Sequence, residues 1–208
     1  MALTDGDAAR LTAALRAGGV VVFPSDTVYG LGCDPDSEDA VRRLYELKGR
    51  PADRPAAVMF FDCARALEAL PGLRAAERAA VKALLPGPVT LVLPNRERRF
   101  ALAAGPGVGA SDSLGLRVPR LTQALAALGR VPGAIMQSSA NLSGAADARR
   151  LMDVPDEIRE GADLTLDGGE LPGVASTVVD LREYEQSGSW SVLREGALAR
   201  RELVGALG

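Results

Sequence analysis

Apolar residues recur at two periods along this chain, and the alternation between them lays out its elements. Ala8, Leu11, Ala14 and Leu15 fall at helical spacing over residues 8–16, with Thr4 or Asp5 placed to cap and Gly18-Gly19 to stop. Gly19 to Phe23 is a short apolar run, the pattern of a buried strand, and it breaks at Pro24. Ser25-Asp26-Thr27 then leads into a turn closed by Gly30 and Gly32. Ser37 caps a second helix whose Val41, Leu44 and Tyr45 share a face, and Lys48 and Arg50 fall at or just past its end, near its negative pole. Val58 to Phe61 predicts a short strand, Asp62 the cap of a third helix, and Ala75 to Leu85 a helix stopped by Pro86-Gly87-Pro88.

The second half continues the alternation. Thr90 to Leu93 predicts a strand ending at Pro94. Asn95 to Asp112, with clustered arginines and then Gly-Pro-Gly-Val-Gly, predicts a long exposed loop of the kind used as a lid or binding loop. Leu114 to Pro119 predicts a strand with Arg117 inside an apolar pattern, and Arg120 to Leu128 a helix. Ala134-Ile135-Met136 predicts a buried strand running into Gln137-Ser138-Ser139-Ala140-Asn141. A polar helical stretch follows, then strands at Asp163 to Asp167, Ser176 to Leu181 and Trp190 to Leu193, and a last helix from Arg200 to Leu207. With no evident linker, repeat or low-complexity tail, one α/β domain over residues 1–208 is expected.

Composition narrows the chemistry. A net charge of −3 excludes a strongly basic chain held to nucleic acid by charge alone, although a local basic patch is compatible with it. Aromatic residues are only 4%, so Ala, Val and Leu must fill the core. No apolar run has membrane-spanning length and no signal-peptide layout opens the chain, which points to the cytoplasm. Cys33 and Cys63 form neither a zinc spacing nor a redox pair, so free thiols are expected. The chain has no histidine, which removes Ser-His-Asp triads, Cys-His dyads, His-bound zinc and any imidazole base.

Four places pair an apolar strand with hydroxyls or a cation: Ser25-Asp26-Thr27, Ser111-Asp112-Ser113 with Arg117, Ser138-Ser139-Ala140-Asn141, and Ser176-Thr177. Taken singly, each also reads as an ordinary turn former or helix cap. Taken together with Lys48 and Arg50, they suit an anionic ligand, because Arg offers a bidentate fork and Lys a point charge to phosphate and carboxylate. Gly105 to Gly109 is no Walker loop, since neither lysine nor helix follows it, and Arg194 after a late strand is either a phosphate contact or a surface residue.

Further motifs stand in order along the chain. Ser25-Asp26-Thr27-Val28-Tyr29-Gly30-Leu31, Lys48-Gly49-Arg50-Pro51 and Pro86-Gly87-Pro88-Val89-Thr90 come first. Leu116-Arg117-Val118-Pro119, Ser138 to Gly144, Ser176 to Asp180 and Leu193-Arg194-Glu195-Gly196 follow. The ordered set, covering about residues 10 to 200, resembles the YrdC-like threonylcarbamoyl-adenylate synthase family in its short single-domain form. The resemblance implies a twisted mixed sheet with flanking helices and a concave ligand cleft. It implies that L-threonine and bicarbonate or CO₂ give N-carboxy-threonine, which attacks the α-phosphorus of ATP to yield threonylcarbamoyl-AMP and pyrophosphate. A separate transferase complex would then modify adenosine 37 of tRNA. A substrate carboxylate is ionised at neutral pH, so this nucleophile needs no histidine base.

By the same resemblance, Thr27, Arg117, Ser139 and Ser176 line the threonine site, and Arg117 clamps its carboxylate. Lys48, Arg50, Ser113, Ser139, Asn141 and Arg194 serve ATP, with Lys48 and Arg50 as the catalytic cations. Mg²⁺ rides on the triphosphate rather than in a protein cage. Val28 or Tyr29 is the candidate for the spot that receives the threonine methyl, with core packing as the competing role. The chain departs from the family pattern at Pro55-Ala56-Ala57-Val58-Met59, where many relatives have Pro-Leu-Ile-Val-His, so Met59 replaces a threonine-contacting histidine. That keeps open a diverged paralogue adenylating another carboxylate or carbamate. A non-catalytic RNA-binding module is the reading from another class, weakened by the charge and the scarcity of stacking aromatics.

Overall fold

The computed structural model describes residues 2–49, 55–104 and 112–208. Its first helix, α1 (Asp5–Arg16), starts where Thr4 and Asp7 bond each other's backbone N–H, a reciprocal cap, and buries Ala8, Leu11 and Leu15. Helix α2 (Glu38–Leu47) is capped by Ser37 and turns Ala40, Val41, Leu44 and Tyr45 inward. Asp62 caps α3 (Cys63–Ala69), and α4 (Ala75–Leu84) buries Ala80, Val81 and Leu84. Four shorter or later helices follow: α5 (Ala101–Ala104), α6 (Asp156–Gly161), α7 (Tyr184–Ser187) and α8 (Arg200–Leu207). None of the described helices is long and apolar enough to cross a membrane.

The strands are β1 (Val21–Pro24), β2 (Tyr29–Cys33), β3 (Ala57–Met59), β4 (Val89–Pro94) and β5 (Ser113–Arg117), followed by β6 (Ile135–Ser139), β7 (Leu164–Thr165), β8 (Thr177–Asp180) and β9 (Ser191–Arg194). They form one mixed sheet in the order β7-β1-β2-β6-β3-β5-β4-β8-β9. The pairs β7/β1, β3/β5 and β4/β8 are parallel, and the other neighbours are antiparallel. Strand pleating sorts the residues of the middle strands onto two faces. Leu91, Leu93, Leu114 and Leu116 point into the core and are essentially fully buried, each worth about 1.5–3 kcal/mol of apolar burial. Their neighbours Thr90, Val92, Ser113, Gly115 and Arg117 line a cleft on the other face.

The structure departs from the sequence-based expectations at three places. Residues 29–33 form β2, an interior strand between β1 and β6, not a turn. Gly32 is required there by packing rather than by turning, because a Cβ would come within 2.6 Å of Ile135 and 2.9 Å of Phe23. The expected exposed loop after Pro94 begins with a buried Asn95, whose side chain bonds both the N–H and the carbonyl of Arg99, and continues into α5. The glycine-rich part of that loop and Ser111 lie outside the described residues, as do Arg50 and Pro51. The expected helix from Arg120 instead forms tighter 3₁₀ turns over Gln123–Arg130.

Candidate functional site

The pleat places polar groups from four strands, and from the residues flanking β8, on one concave surface. A cleft of about 390 Å³ is lined by Ser113 and Arg117 of β5, Thr90 of β4, Gln137 and Ser139 of β6, and Ser176 and Arg194 at the β8 and β9 edge. Gly115 keeps its floor low, since a Cβ there would lie 3.3 Å from Ala57. Val28, Ala57, Val92 and Val178 supply apolar wall. Among the described residues the lining carries three arginines, Arg117, Arg182 and Arg194, and no carboxylate. Such a surface attracts an anion.

Arg117 is buried at 3% exposure. Its Nη2 donates to Asp26 Oδ1 at 2.6 Å and to Thr27 Oγ1 at 3.3 Å, and the second Asp26 oxygen accepts from the Arg120 backbone N–H at 2.9 Å. Thr27 in turn shares a hydrogen bond with Ser25, whose hydroxyl donates to the Val28 carbonyl at 2.7 Å. The Ser25-Asp26-Thr27 turn is therefore the backing of Arg117. Burial pushes the Asp26 carboxyl above its ordinary value, against the opposing charge of Arg117, and burial pulls the Arg117 guanidinium down. Arg117 Nε is the one buried side-chain nitrogen or oxygen among the described residues without a hydrogen-bond partner. A buried donor left unmade beside a cleft is a point of attachment for a ligand oxygen.

At the other end of the cleft, Arg194 Nη2 donates to the Ser176 carbonyl at 2.8 Å and to its hydroxyl at 3.3 Å, while Thr90 and Ser176 share a hydrogen bond of 2.8 Å. Arg182 is gripped by both oxygens of Asp180, at 2.9 and 2.6 Å, which holds the Asp180 carboxyl below its ordinary value. Thr90 and Gln137 stand in stretches quoted from the sequence but without a role there, and Arg182 stands in none of them. The signal for Thr90 was its place two residues before Val92 on one strand face. Asp26 stood in the first motif without a role, although an arginine buried in an apolar strand calls for a counter-charge.

The cleft thus brings together Arg117, Ser113, Ser139, Ser176 and Arg194, with Thr27 directly behind Arg117. Lys48 and Asn141 are placed differently. The Lys48 ammonium is buried and donates to the Ser139 carbonyl at 2.5 Å, the Asn141 carbonyl at 2.8 Å and Asn141 Oδ1 at 2.6 Å. Asn141 also accepts from the Ser139 hydroxyl and donates to the Ala145 carbonyl. Neither residue is part of the cleft lining; together they brace the turn that carries Ser139. Val28 is on the cleft wall, whereas the Tyr29 hydroxyl donates to Asp167 and the Gly169 carbonyl, away from it. Met59 is fully buried in the core and outside the lining.

Among the described residues, no group of three or more His, Cys, Asp or Glu could hold a metal ion. Another hollow, of about 460 Å³ beside Phe60, Arg99 and Phe100, shares no lining residue with the cleft and contains none of the expected site residues.

The Sua5/YciO/YrdC family model, described as telomere recombination, matches residues 13–196. A threonylcarbamoyl-AMP synthase of Methylococcus capsulatus is 42% identical over 72% of this chain and 78% of its own length. One of Pyrococcus abyssi is 35% identical over 93% of this chain, which spans 55% of that longer relative. The crystal structure of P. abyssi Sua5 complexed with L-threonine superposes with a TM-score of 0.85 at 32% identity, covering 100% of this chain and 59% of that one. The chain therefore belongs to the Sua5/YciO/YrdC family.

Proposed function

We propose that this protein is a threonylcarbamoyl-AMP synthase, acting as one domain on L-threonine, bicarbonate or CO₂, and ATP. The observation that carries the reading is Arg117, buried in a cleft whose described lining has no carboxylate, with donors of its fork unmade. It offers a carboxylate a charged partner that water cannot easily replace. The named synthases among the relatives, and the threonine bound to P. abyssi Sua5, support assigning that carboxylate to threonine. Thr27 backs the arginine, and Ser139 and Ser176 flank the amino acid.

The hydroxyls of Ser113 and Ser139 and the cation Arg194 take the phosphates, joined by Arg50. Lys48 and Asn141 act on ATP through the Ser139 turn that they hold. Mg²⁺ would come with the ATP substrate rather than in a protein cage, and would offset the charge of the triphosphate that Ser113, Ser139 and Arg194 hold. The carbamate oxygen of N-carboxy-threonine bonds to the α-phosphorus as the bond to the β-phosphate oxygen breaks, and pyrophosphate leaves. The protein contributes alignment and charge stabilisation, for which arginines and hydroxyls suffice. A separate transferase then passes the threonylcarbamoyl group to tRNA, in the cytoplasm.

The test is pyrophosphate release measured with each substrate omitted in turn. Release that requires ATP, L-threonine and bicarbonate together is expected. Release indifferent to threonine overturns the reading, and a preference for another amino acid points to the replacement of histidine by Met59.

A further inference from the structure

Asp26 is not itself a lining residue of the cleft, yet both of its oxygens are committed. One accepts from Arg117 Nη2 at 2.6 Å and the other from the Arg120 N–H at 2.9 Å. The carboxylate is almost as deeply buried as the guanidinium, with side-chain exposures of 6% and 3%. A guanidinium at that depth needs a counter-charge to stay there. It also needs an orientation, because a planar fork recognises a carboxylate only along its N–H directions. Asp26 supplies both. Being fixed to the chain just beyond β5 by its second oxygen, it cannot follow the arginine if the arginine turns.

Thr27 accepts the remaining reach of Nη2 at 3.3 Å, and Nη1 and Nε are left without a partner among the described residues. Arg194, at the far end of the cleft, repels Arg117 and adds to the need for a fixed counter-charge.

We propose that Asp26 is a positioning residue for amino-acid recognition. It neutralises Arg117 and occupies Nη2, so that the remaining N–H groups of the fork, on Nη1 and Nε, are left to the amino-acid carboxylate. This role rests on the synthase reading for the identity of the ligand. It is separate from a merely structural role in the Ser25–Thr27 turn, which would change stability without changing which ligand groups are read.

The experiment is calorimetric titration of wild type and Asp26→Asn with L-threonine and with L-threoninol, which lacks the carboxylate. Asparagine keeps the shape and an acceptor for the Arg120 N–H but removes the charge. Wild type is expected to prefer threonine over threoninol, and in Asp26→Asn that preference falls by about tenfold or more, as a lost charge-assisted contact requires. In steady state, KM for threonine rises while KM for ATP and kcat at saturating threonine stay within about twofold.

Asp26→Glu, which keeps the charge but displaces it by one methylene, is the second variant, and the threonine-to-threoninol preference falls there too. An unchanged preference in a folded variant overturns the role of Asp26. Absence of threonine binding by wild type instead overturns the synthase reading on which it rests.

Discussion

Two ion pairs built on a buried carboxylate close at the same distance in this protein, 2.6 Å, and are finished differently. Glu77, on α4, is fully buried; its Oε1 accepts from Arg96 Nη2, and its Oε2 accepts from Arg96 Nη1 and from the Arg74 N–H. Burial alone would raise the Glu77 carboxyl, but the hydrogen bonds and charge of Arg96 bring it below its ordinary value. This pair ties the segment after β4 to α4. Asp26 meets Arg117 through one nitrogen, burial prevails over the opposing charge so that its carboxyl is raised, and Arg117 keeps an unmade donor. A complete fork is architecture. An incomplete one beside an open cleft is where a ligand is expected to supply the missing oxygen.

The largest test of that contrast is Glu77→Ala. It takes the charged acceptor from the Arg96 fork and from the Arg74 N–H and is expected to cost about 3 kcal/mol of unfolding free energy, with threonine KM unchanged. Denaturant unfolding beside the pyrophosphate assay checks both, and a shift in KM would break the comparison. Arg117→Lys keeps the charge but loses the planar fork. It is expected to lower kcat/KM for threonine by about 10–100-fold, or about 1.4–2.7 kcal/mol, as steady-state kinetics would show.

Lys48→Met tests a second buried cation, one whose ammonium is surrounded by oxygens of the Ser139–Asn141 turn. About 2 kcal/mol of stability should be lost, because those buried acceptors lose their donor. ATP binding should weaken with the turn, which thermal unfolding and nucleotide titration would separate.

The smallest effect is on pH dependence, where the two carboxyls have opposite signs. Glu77 titrates below its ordinary 4.5 in the fold, so its contribution is complete above that pH and is lost as pH falls through the lowered native value. Asp26 titrates above its ordinary 3.8, so the native state gains relative stability as pH falls through the raised value. Melting temperatures followed from about pH 6 to pH 3 should fall less steeply in Glu77→Gln and more steeply in Asp26→Asn.

Much of the fold was legible in local pattern. The caps at Thr4, Ser37 and Asp62 and the inward faces of α1, α2 and α4 follow from residue type and spacing. Strand β2 was not, because Gly30 and Gly32 read locally as turn residues. Only the approach of Phe23 and Ile135 shows why a strand needs glycine there. The helix α5 was hidden inside a segment whose arginines and glycines suggest a loop. In the site, the cleft gathers Arg117, Ser113, Ser139, Ser176 and Arg194, which lie far apart in the chain. The inward position of Lys48 could not be read from its place at a helix end.

The sequence by itself determined which chemistry was available: no imidazole, several hydroxyls, and cations at strand and helix ends. It also determined the strand period that sets those groups opposite the apolar core. The tertiary structure alone decided which polar groups were already satisfied. Asp26 meets Arg117 from 91 positions away, and Lys48 meets Asn141 from 93. Local pattern carries no information about partners at that separation. Whether a buried cation is sealed or left with a donor to offer depends on those partners.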